Sequence, residues 1–433
     1  MGKRTLVRAS DNDALGVPGQ HAKHQQHDTM HLAVPKWFDA SPYTHQVAAD
    51  IVRYGPIART TLAQILNLSQ GALSRITGDL LHLKVIEELS GNDAPKQNGR
   101  LPFGFSKQQN DSSERRGRPL TALRINAKER TFIGINVRGN SALAIAVNAL
   151  CEPLGEAHTI EFSYVSPEEL STLLVEPIKA CAADAESAGL PRPSLVGVSL
   201  GGHVVDNQTV TAAPFLHWNG NAPLARMISE YCGVPTMLFN DLESAVRHEC
   251  WFGAGVGVSR FALITIGAGI GYSIAQDGEP INNSETSYGT ATHIIVDPEG
   301  PRCYQGHIGC ADCLGNDSIA EQYSELMGRT CSFEDFVVDA RKGLRQATQL
   351  LNRTCFRLGV LIATITNAAM PQKVLVGGES SFLAEMSMEL LRKGVESYRH
   401  SQAEPVPIEI LDDNWINWGR SAASSAIERY ILG

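Results

Sequence analysis

Four apolar segments in the second part of the chain are each followed at once by a glycine-rich or polar turn. They read SLVGVSLGGHVVD, PTMLFNDLESAVRHE, FALITIGAGIGYSIAQDG and KVLVGGESSFL, and a hairpin-like pair of strands, FIGINVRGNSALAIAVNALCEPLGE, precedes them. Strands that alternate with helices in this way are typical of α/β proteins, in which turns at the carboxyl ends of strands form binding sites. Two such units predict a duplicated fold that holds a ligand in a cleft between its halves.

The length of 433 residues exceeds what one ordinary hydrophobic core supports, so two or three domains are expected. No apolar run approaches the roughly 20 residues that a membrane-spanning helix needs. The amino terminus, MGKRTLVRASDNDALG, lacks the apolar core of a signal peptide. These features predict a cytoplasmic protein without membrane contact, in which the cysteines are reduced.

The charge is distributed unevenly along the chain. Residues 1–128 contain 17 Lys and Arg against 11 Asp and Glu, whereas the remainder contains 20 against 35. A basic amino-terminal part on an acidic body favours a nucleic-acid-binding module joined to a domain of another function. We predict a disordered tail at 1–38, a DNA-binding domain at 39–127 and an effector and oligomerisation domain at 128–433.

The segment GPIARTTLAQILNLSQGALSRITGDLLHLKVIEEL indicates a helix, a tight turn, a second helix and a strand. We expect the first helix near 59–66 and a second helix that is capped by Ser69 and ends near Leu83. Strands at 85–89 and 120–125 would pair as a wing. The small core would contain Ala63, Ile65, Leu68, Leu73, Ile76 and Leu80. Two short helices can also pack in this way in a small helical domain that binds no DNA.

A winged helix-turn-helix places the start of its second helix in the major groove of double-stranded DNA. Gln70, Ser74 and Arg75 are the residues predicted to be exposed there, and their side chains can contact base edges or phosphates. Before the second wing strand, the cluster Arg115, Arg116 and Arg118 is expected to reach the minor groove. Reading a palindromic operator requires at least a dimer, so a homodimer or homotetramer is expected.

Three of the nine cysteines lie within GPRCYQGHIGCADCLG at 300–315. They are Cys303, Cys310 and Cys313. The cluster could be a metal site, a redox pair, a disulfide or three unconnected thiols, and the cytoplasm disfavours the disulfide.

These patterns make the body similar to the ROK family (repressors, open reading frames and kinases), a branch of the actin-like, sugar-kinase-like fold. The preceding winged helix is the arrangement of the repressor branch of that family. The segment THIIVDPEGPRCYQGHIGCADCL resembles the family motif Cys-x-Cys-Gly-x-x-Gly-Cys with its preceding histidine. The fold class that this implies is α/β, with an amino-terminal winged helix-turn-helix followed by a two-lobed actin-like domain.

The resemblance implies a structural zinc ion bound by one histidine and three cysteines. The middle cysteine of the family motif is Gln305 in this chain, so one ligand must come from elsewhere. Cys313 forms a Cys-x-x-Cys pair whose spacing suits one metal, and His307 is the alternative. The predicted ligands are His293, Cys303, Cys310 and Cys313.

The resemblance also assigns the groups that would bind nucleotide and sugar. In the first phosphate turn, Asn136 replaces the family aspartate and Arg138 replaces a glycine, which weakens the case for nucleotide binding. Asn240 and Asp241 match the family pair whose aspartate binds sugar hydroxyls and acts as general base in kinases. The remaining predicted sugar-binding residues are Thr290 and Asp312, at positions of family glutamates, together with His293 and His217.

We therefore predict a non-enzymatic DNA-binding transcriptional repressor that responds to a sugar or sugar phosphate. A sugar kinase with a DNA-binding appendage is the first alternative. A DNA-binding regulator that no longer uses a ligand is the second.

Overall fold

The predicted winged helix-turn-helix is present in the computed structural model, which describes residues 35–89, 101–102, 121–281 and 290–433. Its three short strands form one antiparallel sheet in which the third strand lies between the other two. Its elements are α1 (Pro42–Tyr54), β1 (Ile57–Ala58), α2 (Arg59–Ile65), α3 (Gln70–His82), β2 (Ile86–Leu89) and β3 (Ala122–Ile125).

Local chemistry explains where these elements begin. Ser41 caps α1, and Ser69 caps α3 as predicted, because its hydroxyl accepts the backbone N–H of Ala72 at 3.2 Å. The turn between α2 and α3 contains Asn67 in a left-handed conformation with φ of 51°. The predicted small core is confirmed: three of its residues are buried and three are half-buried against them. The residues are Ala63, Leu73 and Leu80, then Ile65, Leu68 and Ile76.

The body consists of two lobes, each built on a five-stranded mixed sheet. The sheet of the first lobe has the order β11-β7-β4-β5-β6, and the first lobe also carries a small sheet of the order β10-β9-β8. Its elements are β4 (Thr131–Val137), β5 (Ser141–Asn148), β6 (His158–Glu161), α4 (Pro167–Leu173), α5 (Val175–Ser187), β7 (Leu195–Leu200), β8 (His203–Val205), β9 (Thr209–Ala213), β10 (Trp218–Ala222), α6 (Leu224–Cys232), β11 (Thr236–Asn240) and α7 (Asp241–Trp251).

The sheet of the second lobe has the order β14-β13-β12-β15-β16. In both sheets a long antiparallel pair, β4 with β5 or β12 with β13, is extended by a parallel strand. The predicted duplicated fold is therefore confirmed. The elements of the second lobe and the carboxyl terminus are β12 (Arg260–Ile266), β13 (Ile270–Gln276), β14 (Glu279–Pro280), α8 (Asn316–Met327), α9 (Phe333–Arg341), α10 (Arg345–Ala369), β15 (Lys373–Gly377), α11 (Phe382–Met386), α12 (Met388–Tyr398), β16 (Ile408–Ile410) and α13 (Ile416–Leu432).

Helix α13 lies directly on the sheet of the first lobe because two strands carry glycine beneath it. A Cβ atom at Gly134 would lie 1.9 Å from the carbonyl oxygen of Gly419, and one at Gly197 would lie 2.2 Å from that of Ala422. No side chain larger than hydrogen fits at such a distance. This close approach fixes the start of α13, with Trp415 before it, beside the end of β4.

The winged helix packs on the body through one continuous hydrophobic core. That core includes Ile51 and Leu73 of the DNA-binding module together with Phe132, Trp251 and Ile427 of the body. Buried apolar side chains from both sides of residue 127 contribute to this core. The predicted domain boundary at residue 127 therefore does not separate two hydrophobic cores.

The last residues assigned to the predicted tail pack against the body. Residues 1–34 lie outside the described residues, but Trp37 and Phe38, the last two residues assigned to the tail, are buried. The backbone N–H of Trp37 donates to the carbonyl of Tyr430 at 2.9 Å, and the ring of Phe38 stacks on His45. Two large aromatic side chains bury apolar surface against α1 and α13, which a disordered tail could not do.

A buried ionic group lies where α1 meets the body. Arg53 is 6% exposed, pairs with Glu279 at 2.5 Å and stacks 4.5 Å above the ring of Trp251. Burial raises the pKa of nearby Asp50 to about 6, although Arg53 and a hydrogen bond from Gln46 oppose the rise.

The substitution Asp50→Asn is expected to stabilise the protein more at pH 8 than at pH 4. An unfolded aspartate loses its proton near its ordinary pKa, about 3.9, whereas the folded carboxyl keeps it until about pH 6, so folding costs more as the pH rises through this window. We expect a gain of about 1–3 kcal/mol in the free energy of unfolding at pH 8, measured by urea denaturation. The exposed Asp79→Asn is the matched control, and an equal pH response of both variants would contradict the prediction.

Candidate functional site

A cavity of about 420 Å³ lies between the two lobes, where the carboxyl ends of their central strands meet. This volume is in the range of small-molecule sites. Each of these strands contributes residues at its carboxyl end or in the turn beyond it: Asn136–Gly139 at β4, Gly201–Gly202 at β7, Asn240–Asp241 at β11, Gly267–Gly271 between β12 and β13, and Gly378–Glu379 at β15. The predicted sugar pair and the predicted first phosphate turn therefore converge on one cleft, together with the glycine turn after β12.

The two residues of the predicted sugar pair have different roles in the structure. Asn240 caps α7 by accepting the backbone N–H of Glu243 at 3.1 Å, and its amide donates to the carbonyl of Gly202 at 3.0 Å. Asp241 lines the cleft. Burial raises the pKa of its carboxyl, while the backbone N–H of Leu242, at 2.8 Å, and Arg138 oppose the rise. Of the pair, Asp241 is the residue available to a ligand.

The first phosphate turn makes its polar contacts within the protein. Asn136 is 3% exposed; its amide donates to Ser199 at 3.1 Å and accepts from the indole of Trp415 at 2.8 Å. The guanidinium of Arg138 stacks 4.3 Å above Trp415 and pairs with Glu379 at 3.2 Å. The sequence indicated the loss of the family aspartate and glycine, but these replacement contacts were not predicted.

Four potential metal ligands lie together in the loop between β14 and α8. Their ligand atoms are within 4.8 Å of one another, and the residues are His293, Cys303, His307 and Cys310. The Nδ1 atom of His293 is 3.8 Å from the sulfur of Cys303 and 3.9 Å from that of Cys310. In a tetrahedral zinc site, nitrogen and sulfur ligand atoms are about 3.5 Å apart. The donor set therefore fits zinc chemistry.

Backbone contacts hold this loop in place. The N–H of Cys303 donates to the carbonyl of His307 at 2.9 Å, which closes a tight turn and brings both side chains to one side. Gly309 has φ of 65°, and a Cβ atom there would lie 1.4 Å from the carbonyl oxygen of Asp297. Asp297 pairs with the buried Arg357 of α10 at 2.6 Å, so the loop is anchored to the second lobe.

The prediction of Cys313 as the fourth ligand is corrected. Cys313 lies in the 3-10 turn Ala311–Leu314, is 2% exposed and belongs to the hydrophobic core of the second lobe. Burial raises the pKa of its thiol to about 12. The turn directs this side chain inward, and His307, the predicted alternative, occupies the fourth position of the cluster.

His217, which was predicted to contribute to the sugar-binding wall, lies elsewhere. His217 is exposed in a left-handed conformation and lines a separate, smaller cavity of about 200 Å³ with Tyr164. The neighbouring Trp218 is buried, and its indole donates to the carbonyl of Val165 at 2.7 Å. Phe215, which is 53% exposed, lines the main cleft instead.

The cysteine-rich motif and the residues just before it contribute two side chains to the cleft, and neither was predicted from the sequence. Thr292 and Tyr304 line the cavity, whereas Asp312 lies in the 3-10 turn beside Cys313 and is not among the described lining residues. His293 approaches the cleft indirectly, because its Nε2 atom is 3.4 Å from the hydroxyl of Tyr304. The side chain of Thr290 lies outside the described part of the structure. Tyr304 could have been recognised in the sequence as an aromatic residue inside the cysteine-rich motif, directly after Cys303.

The predicted major-groove residues lie in the amino-terminal half of α3. Gln70, Ser74 and Arg75 lie in the first two turns of α3 and are all exposed. Arg115, Arg116 and Arg118, predicted for the minor groove, lie outside the described residues.

The sequence profile of the ROK family matches residues 132–416. The chain belongs to the ROK family. It is 21% identical over 392 residues to the DNA-binding transcriptional repressor Mlc of Escherichia coli, covering 87% of this chain and 90% of Mlc.

Solved structures of this family show the same fold. A ROK family transcriptional regulator, described as a homolog of the E. coli Mlc protein, has a TM-score of 0.68 at 22% identity and covers 90% of this chain and 98% of its own. A ROK family glucokinase from Streptomyces griseus, in complex with glucose and AMPPNP, has a TM-score of 0.56 at 21% identity and covers 68% of this chain and 98% of its own. Across the described residues, no helix combines the length and apolarity required to cross a bilayer.

Proposed function

We propose that this ROK-family chain is a DNA-binding transcriptional repressor controlled by a sugar that binds in the cleft between its lobes. The observation that carries the proposal is a winged helix that exposes Gln70, Ser74 and Arg75 near the start of its second helix and shares one hydrophobic core with a two-lobed body that has a cleft. The similarity to Mlc, a repressor, over most of both chains supports it. Such a protein acts on DNA, so we place it in the cytoplasm.

The cleft offers the types of group that bind sugars. The carboxylate of Asp241 can accept hydrogen bonds from sugar hydroxyls, and the hydroxyl of Thr292 can accept or donate them. Phe215 and Tyr304 add aromatic surface against which the apolar face of a sugar ring can pack. A ligand that contacts both lobes would favour one arrangement of the lobes over others. In a dimer, this arrangement would set the spacing between the two winged helices and so their fit to a palindromic operator.

The proposed metal is zinc, held by His293, Cys303, His307 and Cys310. Zinc in such a site supplies a closed tetrahedral centre that stabilises the loop and takes no part in a reaction. The contact from His293 to Tyr304 would then fix one aromatic wall of the cleft. We propose a homodimer or homotetramer, because a palindromic operator presents two half-sites.

The test is selection of genomic DNA fragments by the purified full chain at a stated salt concentration. We expect enrichment of a pseudo-palindrome whose half-sites are one or two helical turns apart. The sugars handled by genes beside the strongest sites would then be tested for release of DNA. Salt-sensitive binding without sequence preference would contradict the proposal.

A sugar kinase is the second candidate, because Asp241 occupies the position of the family's general base and the turn after β12 keeps its glycines, although Ala268 supplies no hydroxyl there. A coupled assay with ATP and a panel of hexoses tests it. Turnover that is lost in Asp241→Asn would establish the kinase. We expect none, because Asn136 replaces the family aspartate, carries no charge and is committed to contacts with Ser199 and Trp415.

A further inference from the structure

Glu379 places a carboxylate in the second glycine turn of the cleft. One of its oxygens accepts the backbone N–H of Ala268 at 2.9 Å and the side-chain amide of Asn316 at 3.0 Å. A Cβ atom at Gly267 would lie 2.7 Å from the Cγ atom of Glu379, so the turn closes tightly around this side chain. A backbone N–H in a glycine turn is a group that commonly binds phosphate oxygens.

The other oxygen of Glu379 faces a cation from the opposite lobe. It lies 3.2 Å from the guanidinium of Arg138, which follows β4 of the first lobe, whereas Glu379 follows β15 of the second. Among the described residues that line the cavity, Arg138 is the only lysine or arginine. Both side chains are about one-third exposed, at 32% and 33%, so solvent and ligands can reach the pair.

The stacking of Arg138 on Trp415 favours a fixed position for the guanidinium. The distance from the guanidinium carbon to the ring centroid is 4.3 Å, and the indole of Trp415 is itself held by Asn136 at 2.8 Å. A guanidinium so positioned is organised to receive an oxyanion without a further loss of side-chain freedom.

We infer that Arg138, the N–H of Ala268 and the amide of Asn316 form an anion-binding site that the chain's own Glu379 occupies, and that a phosphate group displaces it. In the absence of such a ligand, the pair of Glu379 and Arg138 holds the two lobes together across the cleft. A phosphate that takes the place of Glu379 removes this inter-lobe ion pair. The regulatory meaning of the site rests on the proposed repressor function, whereas phosphate binding does not.

The competition follows from charge and tethering. A phosphate monoester carries about two negative charges near neutral pH and presents three acceptor oxygens, against one charge and two oxygens for the carboxylate. Glu379, however, is attached to the site and is present at a high local concentration. Free inorganic phosphate should therefore bind weakly to the unmodified protein and more tightly once the competing carboxylate is removed.

The experiment is calorimetric titration of the full chain with inorganic phosphate. Glu379→Gln is expected to bind phosphate about tenfold or more tighter than the unmodified protein, because the tethered anion becomes neutral while Arg138 is released. Adding Arg138→Gln to this variant should abolish the gain. Glu409→Gln, which removes the carboxylate of another ion pair in the second lobe, is the matched control and should bind phosphate like the unmodified protein.

A fluorescence measurement tests the site independently. Phosphate should change the tryptophan emission of Glu379→Gln because a dianion then lies beside the guanidinium that stacks on Trp415, and Trp415→Phe should remove this change. If Glu379→Gln unfolds, the shorter Glu379→Asp tests the same inference, since its carboxylate reaches the turn less well. Equal phosphate affinity with and without the Glu379 carboxylate, or a gain that survives Arg138→Gln, would overturn the inference.

Three further titrations distinguish the source of the phosphate. Glucose 6-phosphate, ADP and unphosphorylated glucose are compared on Glu379→Gln. Tighter binding of either phosphorylated compound than of glucose supports the anion site. The compound that binds more tightly then indicates whether the phosphate belongs to a sugar phosphate or to a nucleotide. Equal binding of all three overturns it. A positive result here together with failed operator selection would retain the anion site and reject the repressor.

Discussion

Arg75→Ala is expected to weaken binding of the selected operator by about tenfold to a hundredfold, because a base or phosphate contact of arginine contributes about 1–3 kcal/mol. Arg75 is exposed near the start of α3, where a winged helix meets the major groove. The free energy of unfolding should change by no more than about 0.5 kcal/mol, since the side chain is outside the core.

The control is His82→Ala, an equally exposed substitution in the last turn of the same helix. It should leave operator affinity nearly unchanged in the same gel-shift or anisotropy titration. If Arg75 contacts a base, sequence preference at one operator position should relax. If it contacts a phosphate, affinity should fall uniformly and the salt dependence should become shallower. Equal effects of the two substitutions would show that α3 does not meet DNA in this way.

Cys310→Ser and His307→Ala are each expected to reduce bound zinc from about one ion per chain to well below one half, because a tetrahedral site with three ligands binds weakly. The ligand atoms of both residues lie in the four-residue cluster. The melting temperature should also fall, because metal binding contributes to the stability of the loop. Metal analysis after dialysis against a chelator measures the first effect and calorimetry the second.

Cys313→Ala is the matched control. Its side chain lies in the core of the second lobe, so the substitution should cost stability through a small cavity but retain zinc. The two measurements therefore separate loss of metal from loss of packing. Zinc retained in His307→Ala and lost in Cys313→Ala would reinstate the ligand set expected from Cys-x-x-Cys spacing.

The sequence determined the elements whose signals are local. The turn at Asn67, the cap at Ser69 and the alternation of apolar residues in the strands depend on neighbours within a few positions. For the same reason the glycine turns after the strands, and Asp241 immediately after β11, lie in the cleft as expected. The resemblance to the ROK family rested on these turns and on the cysteine-rich motif, and the family match confirms it.

Only the tertiary structure decided which chemically suitable side chains meet. Spacing favoured Cys313 over His307, but a 3-10 turn buries the first and a backbone hydrogen bond from Cys303 brings the second to the cluster of candidate ligands. Arg138 was visible as an anomaly in a glycine turn, yet its partner Glu379 lies in the other lobe. Contacts between residues far apart in the chain depend on how two sheets pack, and local pattern carries no information about that packing.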